Sequence, residues 1–291
     1  MHKNTIHHLK KPNLALHGWF GLGLVVVFWF LNWALPGVRT NWAFFPLWLG
    51  YCLVVDALVL KRTGTSLIHR SVRKYIGLFL FSAPVWWIFE IINLRLQNWH
   101  YAGGELFSPM SFWIWATINF TTVLPAVFGS AELVNSFNFF KNLGRGPSIH
   151  PDRRTTIAFF IVGLSMFALM IIWPSIFFPF IWLSIYFSME PINVWLGNRN
   201  LAEWTQVGNW RPVLTLWSGV LLTAFFWEMW NYLSYPKWIY HVPWGNCCHI
   251  FEMPLLGYGG YLPFALELFA IYHLVVGIFG NKESDYVKLL S

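Results

Sequence analysis

Charged residues are scarce in this chain. Asp, Glu, Lys and Arg make up 11% of its 291 residues and apolar residues 57%, whereas soluble domains carry charge at about a quarter of positions. That deficit excludes an ordinary soluble fold. Cysteine is also rare: Cys52 falls in an apolar run, and Cys247 and Cys248 are adjacent, where a bridge is strained, so no disulfide framework is expected. Gly-x-Ser-x-Gly, His-Glu-x-x-His and Gly-x-Gly-x-x-Gly are all missing, as are the clustered His boxes of di-iron desaturases. These absences remove most hydrolase and membrane oxidoreductase readings. Residues 1–16 are polar and His-rich, with no small-residue cleavage site before the first apolar run, so no cleavable signal peptide is expected.

What the chain does contain is long apolar stretches. Eight approach the length needed to cross about 30 Å of hydrocarbon, at 17–36, 44–60, 75–93, 112–136, 155–173, 175–192, 213–232 and 259–280. The second is short, and the fifth and sixth meet at Trp173-Pro174-Ser175, so re-entrant segments are an alternative there. With eight spans, all but Arg39, Arg95 and Lys237 of the 19 Lys and Arg residues fall on one side of the membrane, among them Lys61, Arg62, Arg70, Arg73, Lys74, Lys141, Arg145, Arg153 and Arg154. The positive-inside rule then places both termini in the cytoplasm, and an integral protein of the bacterial inner membrane is expected. Basic loops beside anionic headgroups account for the net charge of +7 without a nucleic-acid partner.

The chain reads as a duplication. Phe44-Phe45-Pro46 matches Phe177-Phe178-Pro179, Asp56 falls opposite Glu190, Gly64 opposite Gly197, Arg73 opposite Arg211, and Pro125 opposite Pro263. Most telling, Glu90-x2-Asn93-x5-Trp99-x-Tyr101 recurs as Glu228-x2-Asn231-x6-Trp238-x-Tyr240. The expected fold is all-α and integral to the membrane, with about eight transmembrane helices as two parallel four-helix repeats. Its divisions are a tail at 1–16, a first repeat at 17–140, a basic linker at 141–154, a second repeat at 155–280 and a tail at 281–291. An even number of spans per copy makes both copies face the same way, about an axis along the membrane normal.

Carboxylates at the end of apolar helices are functional candidates, because they cost free energy unless neutral or partnered. Glu90 and Glu228 are therefore the candidate acid and base, with Asn93 and Asn231, one turn on, expected to orient them. Trp86, Trp87, Trp99, Tyr101, Trp227, Trp230, Trp238 and Tyr240 are the candidate lining of a pocket for a lipophilic ligand. Asp56 and Glu190 form an expected second acidic layer at the opposite helix ends, where helix capping is the competing explanation. The aromatic and Gly-rich segment 233–258 is expected to cover a cavity, although an interfacial Trp/Tyr belt explains part of it. His241, Cys247, Cys248, His249 and Glu252 include the usual zinc-ligand types, yet their spacing fits no standard site, and neither metal nor cofactor is expected. The His-rich tail (His2, His7, His8) reads as a tail, the basic loop 61–74 as an orientation signal, and His273 as a buried, paired core histidine.

A carboxyl enclosed by aromatic rings is a proton donor in an apolar pocket, and ring faces stabilise cations. Those are the requirements for protonating an olefin. The duplicated unit (carboxylate at a helix end, Trp-x-Tyr about ten residues on, Pro near the start of the next helix) resembles the small integral-membrane lycopene cyclases. Phe226-Trp227-Glu228-Met229-Trp230-Asn231-Tyr232 with Tyr235-Pro236 is similar to the membrane-bound cyclases of fungal meroterpenoid pathways. The likeness covers roughly 86–125 and 224–263. Where the lycopene cyclases carry a Pro-x-Glu-Glu pair, this chain has Val123-Leu124-Pro125-Ala126 and Glu252-Met253-Pro254-Leu255. The resemblance implies an isoprenoid or carotenoid cyclase, or a related lyase or hydratase. Two further readings are a non-catalytic lipid-, quinone- or pigment-binding subunit of a larger membrane complex, and a lipid transporter.

Overall fold

A computed structural model of the protein describes residues 13–35, 37, 41–280, 282 and 284–290. The expected tail residues His2, His7 and His8, together with Pro36 and Arg39, lie outside that set. The first copy runs α1 (Leu16–Ala34), α2 (Phe44–Thr63), a short α3 (Leu67–Arg70), α4 (Val72–Leu96), strand β1 (Trp99–Ala102), α5 (Pro109–Phe120) and α6 (Val123–Asn135). A short α7 (Asn138–Lys141) leads into the linker. The second copy runs α8 (Arg153–Ile172), α9 (Pro174–Phe177), a 3-10 turn over Phe178–Trp182, α10 (Ser184–Leu196), a short α11 (Ala202–Thr205), α12 (Arg211–Tyr232), strand β2 (Lys237–Tyr240), the small β3 (His249–Ile250) and β4 (Met253–Pro254), and α13 (Tyr258–Ile278). The main elements recur in the same order, even to the four-residue helices α3 and α11, while α9, β3 and β4 occur in the second copy alone and α13 stands where the first has α5 and α6. Seven helical segments are long and apolar enough to cross a membrane, and an eighth if the bent pair around Leu183 counts as one span. The protein is an all-α integral membrane protein.

Two expected spans are broken, each for a local reason. The fourth is interrupted at Thr121 and Thr122 between α5 and α6, where Ser82 of α4 inserts its hydroxyl. Ser82 Oγ donates to Phe120 O (2.6 Å) and accepts from Leu124 N (3.1 Å), replacing the helix's own bond between those two groups. The sixth starts with Pro174 and Pro179, which prevent a regular helix, and turns by 41° before α10. The second span is a full 20 residues, longer than expected.

With no hydrophobic drive between helices in lipid, close backbone approach through small residues holds the bundle. A Cβ added at Gly21 of α1 would meet Gly50 O of α2 at 2.7 Å; in the second copy, one at Gly163 of α8 would meet Ser188 Oγ of α10 at 2.6 Å. Between copies, Gly219 of α12 lies so close to α6 that its Cβ would stand 2.5 Å from Ala131 N. α1 and α8 occupy matching outer places, α1 packed mainly on α2 and α8 on α10, with large apolar side chains such as Phe20, Phe30, Ile161 and Phe167 turned outward.

The copies also exchange their C-terminal extensions. The linker after α7 binds the second copy through Gly146 N to Gly208 O (2.8 Å) and Ile149 N to Thr205 O (3.1 Å). The segment after α13 returns to the first copy, where Tyr286 OH donates to Leu67 O (2.9 Å) and Lys288 N to Glu132 Oε1 (2.8 Å). Glu132 is also ion-paired with Arg70. Lys61, Arg62, Arg70, Arg73 and Lys74 gather at this end of the bundle, around α3 and the adjoining ends of α2 and α4. At the other end, β1 and β2 pair antiparallel, with Trp99 opposite Tyr240, His100 opposite Ile239, and Tyr101 opposite Trp238.

Candidate functional site

The ribbon is symmetric in the repeat. Trp99 corresponds to Trp238 and Tyr101 to Tyr240, so each Trp-x-Tyr faces its own counterpart reversed. Such pairing requires a local two-fold axis through the His100–Ile239 pair, the isologous arrangement. Each strand is held to its own helix end by an asparagine. Asn93 Nδ2 donates to Trp99 O (2.8 Å), and Asn93 Oδ1 accepts from Asn98 N (2.9 Å). Asn231 Nδ2 donates to Trp238 O (2.8 Å), and its Oδ1 accepts from Trp238 N (2.9 Å). The expectation that Asn93 and Asn231 orient the glutamates is therefore corrected. Their amides satisfy strand backbone instead, because a side chain with one donor and one acceptor matches the open N–H and C=O beside a helix terminus.

The carboxyls are oriented by aromatic side chains. Glu90 Oε1 accepts from Trp86 Nε1 (3.0 Å), Trp99 Nε1 (3.1 Å) and Tyr101 OH (2.5 Å). Glu228 Oε1 accepts from Tyr240 OH (2.8 Å) and Tyr261 OH (2.5 Å), while Trp238 Nε1 donates onward to Tyr240 OH (3.0 Å). Both acids are buried, and no basic group pairs with either among the described residues. Oε2 of Glu228 is buried without a hydrogen-bond partner. The two sites differ in two ways: Trp99 binds its carboxyl directly where Trp238 binds Tyr240, and Ala224 stands where the first copy has Trp86, with Tyr261 of α13 delivering its hydroxyl in place of that indole. Tyr261 was missed as a site residue. The signal was the small residue at 224, which frees the space.

Burial, and then the neighbouring Glu90, push the Tyr101 phenol well above its usual range; burial and Glu228 do the same for Tyr240. Both hydroxyls therefore keep their protons across the physiological range and remain donors.

These groups border a cavity of about 480 Å³ between the copies at the ribbon end. Trp86, Trp99, Tyr101, Trp227, Trp238 and Tyr240 line it, as expected from sequence, together with Trp182, Tyr261 and Phe264. The carboxyls stand behind this layer and are not among the lining residues; the phenols and indoles that bind them are. Two expected lining residues belong elsewhere. Trp87 donates to Thr117 Oγ1 (3.2 Å) and packs on Trp113 and Phe120. Trp230 is fully buried against Trp29, Trp48, Tyr51 and Phe226, on a different face of α12. The segment 233–258 does contribute to the cavity wall, through Tyr235, Val242, Trp244 and Met253.

The second acidic layer is not shared between copies. Asp56 accepts from Ser66 Oγ (2.7 Å) and Ile68 N (3.0 Å), and Glu190 from Leu201 N (2.5 Å) and Ala202 N (3.0 Å). Each serves the start of the short helix in its own copy, the helix-capping alternative. His273 is buried, packed on Phe269 and Tyr272, with neither ring nitrogen hydrogen-bonded to the described residues, so the expected partner is lacking. Lys237 pairs with Glu252 and His249 with Asn246; no group of three or more metal-binding side chains occurs among the described residues. No family model, curated protein or solved structure matches the chain.

Proposed function

We propose that the protein is an integral-membrane isoprenoid cyclase, or a related lyase or hydratase, that protonates an olefin held in the aromatic cavity. The observation that supports this most directly is the pair of Tyr240 and Tyr261 hydroxyls at the cavity wall, both bound to the buried Glu228 behind them, with no basic partner among the described residues. Hydroxyl groups both donate and accept, so a proton on Glu228 can pass through Tyr240 or Tyr261 to an olefinic carbon as the phenol is recharged from the carboxyl. The carbocation that results is held by the faces of Trp182, Trp227 and Phe264. A second olefin of the same molecule attacks the cation to close a ring, and loss of a proton from an adjacent carbon restores an alkene; in the hydratase reading water adds to the cation and gives up the proton. Glu90 suits the acceptor: the proton passes to Tyr101 at the cavity wall as Tyr101 gives its own to Glu90, while the indole N–H groups of Trp86 and Trp99 only donate. Exchange with solvent returns Glu90 and Glu228 to their starting states, so the cyclisation is a net isomerisation, whereas the hydratase reaction adds one water and a lyase removes one leaving molecule.

The test is turnover of polyprenyl or carotenoid olefins by the purified protein in lipid. Glu228→Gln is expected to lose about 100-fold or more in rate while extraction and folding are unchanged. Full turnover in both Glu90→Gln and Glu228→Gln removes the reading.

A second reading, a non-catalytic lipid-, quinone- or pigment-binding subunit, is favoured by one feature: neither carboxyl itself reaches the cavity surface. It predicts stoichiometric protein partners after native purification and a bound lipophile unaffected by Glu228→Gln.

We further infer that the ribbon face is extracytoplasmic, with both termini in the cytoplasm of a bacterial cell. Cys247 and Cys248 are exposed on the ribbon face and Cys52 is buried. A membrane-impermeant maleimide should label the pair in intact spheroplasts. Labelling only in inverted vesicles reverses the topology.

A further inference from the structure

The duplication supplies an internal control for a second, smaller cavity of about 190 Å³ at the basic end of the second copy. Its wall includes Glu190, Thr205, Val213, Trp217 and Phe159. Glu190 Oε1 is taken by the N–H groups of Leu201 and Ala202, whereas Oε2 is buried with no partner. Trp217 Nε1, on the same wall, is a second buried polar atom without a partner. In the first copy the equivalent space is filled by the chain itself. Asp56 stands for Glu190, and its Oδ2 lies 3.1 Å from His17 Nε2. Gly21 and Gly163 make the same helix approach, so His17 corresponds to Phe159, four residues earlier in each case. Arg70 closes the short helix where Thr205 closes its counterpart, and Tyr75 follows Arg73 as Val213 follows Arg211. Tyr75 is buried there, and Tyr286 packs over Arg70. The second copy thus lacks the imidazole beside its carboxyl and two large side chains around it, and has the carboxyl.

We propose that this cavity binds the protonated amine of an ethanolamine phospholipid, with Glu190 as its carboxylate partner in the place His17 holds beside Asp56. A free volume several times that of one water suits a headgroup, and an ammonium with three N–H donors satisfies Oε2 where an apolar chain does not. The cavity also adjoins the start of α8, where Thr155 and Thr156 line it and the exposed Arg153 and Arg154 follow Asp152. Those guanidinium groups suit the lipid phosphate, and Phe159 and Phe187 the upper acyl chain. A quaternary choline headgroup has no N–H to give and is discriminated against.

The test uses the full chain, delipidated and then reconstituted in nanodiscs holding equal phosphatidylethanolamine, phosphatidylcholine and phosphatidylglycerol, with retained lipid counted by native mass spectrometry. The wild-type chain should keep one ethanolamine lipid, at least tenfold over the choline lipid. Val213→Tyr and Thr205→Arg, which restore the first copy's filling, should each abolish that preference with an unchanged melting temperature, and Glu190→Gln should weaken it. Retention independent of headgroup, or unaltered in both filling variants, overturns the proposal. So does equally tight binding of phosphoethanolamine alone, which identifies a soluble amine as the ligand. Glu228→Gln should leave retention unchanged, which keeps this site's fate separate from that of the aromatic cavity.

Discussion

Asn93 and Asn231 each spend both ends of an amide on the backbone of a neighbouring strand, and both are buried. Asn231→Ala removes two such bonds and leaves Trp238 N–H and C=O unmatched beside the cavity. A loss of about 2 kcal/mol or more is expected, read as a lower melting temperature in detergent. Asn231→Asp, which keeps the acceptor, should lose less; equal losses would show that the donated bond to Trp238 O is the one that matters. The tyrosines give a pH signature. Tyr101 and Tyr240 hold their protons more tightly folded than unfolded, so the folded chain binds more protons above the ordinary phenol pKa near 10. Stability from these groups is complete below that pH and is lost as pH rises past it. A melting series from pH 8 to 11 should fall at the alkaline end, and Tyr101→Phe with Tyr240→Phe should flatten it. An unchanged slope in the double variant assigns the fall to other groups.

Among the elements, the ribbon is the one that joins the halves above the cavity. His100 and Ile239 stand directly opposite, at a strand-pair separation compatible with a disulfide. In a chain with Cys247→Ser and Cys248→Ser, His100→Cys with Ile239→Cys should bridge on mild oxidation, whereas His100→Cys with Lys237→Cys, out of register, should bridge far less. On the opposite side, Gly219→Leu forces a side chain into Ala131 of α6 and should uncouple α12 from it, seen as loss of monodisperse elution. Helices, breaks at proline and the repeated Glu/Asn/Trp/Tyr pattern were all legible in the sequence, because each depends on local chemistry or self-similarity. The ribbon was not. Trp99–Tyr101 reads as interfacial aromatics until its partner, far along the chain, is brought opposite. The roles of the asparagines and of Tyr261 were hidden for the same reason, as was the placing of Trp87 and Trp230 outside the cavity. Which face of an all-apolar helix looks inward cannot be told from periodicity when both faces are greasy.

At the scale of the whole molecule, the halves are held by the ribbon, by α6 against α12, and by the exchanged extensions. Cleavage at an inserted protease site between Asn142 and Gly144 should therefore leave two fragments that co-elute and keep the native melting temperature to within a few degrees. Separation of the fragments in mild detergent would mean that the covalent link, not the interface, holds the copies together. The two-fold pairing of Trp-x-Tyr with its own counterpart also speaks to symmetry. A strand that pairs with its own counterpart reversed is self-complementary, so two identical halves facing the same way would close the same roof. The halves of that roof are not identical, however: Trp86 serves Glu90 on one side, and on the other Ala224 leaves the place to a phenol arriving from the last helix.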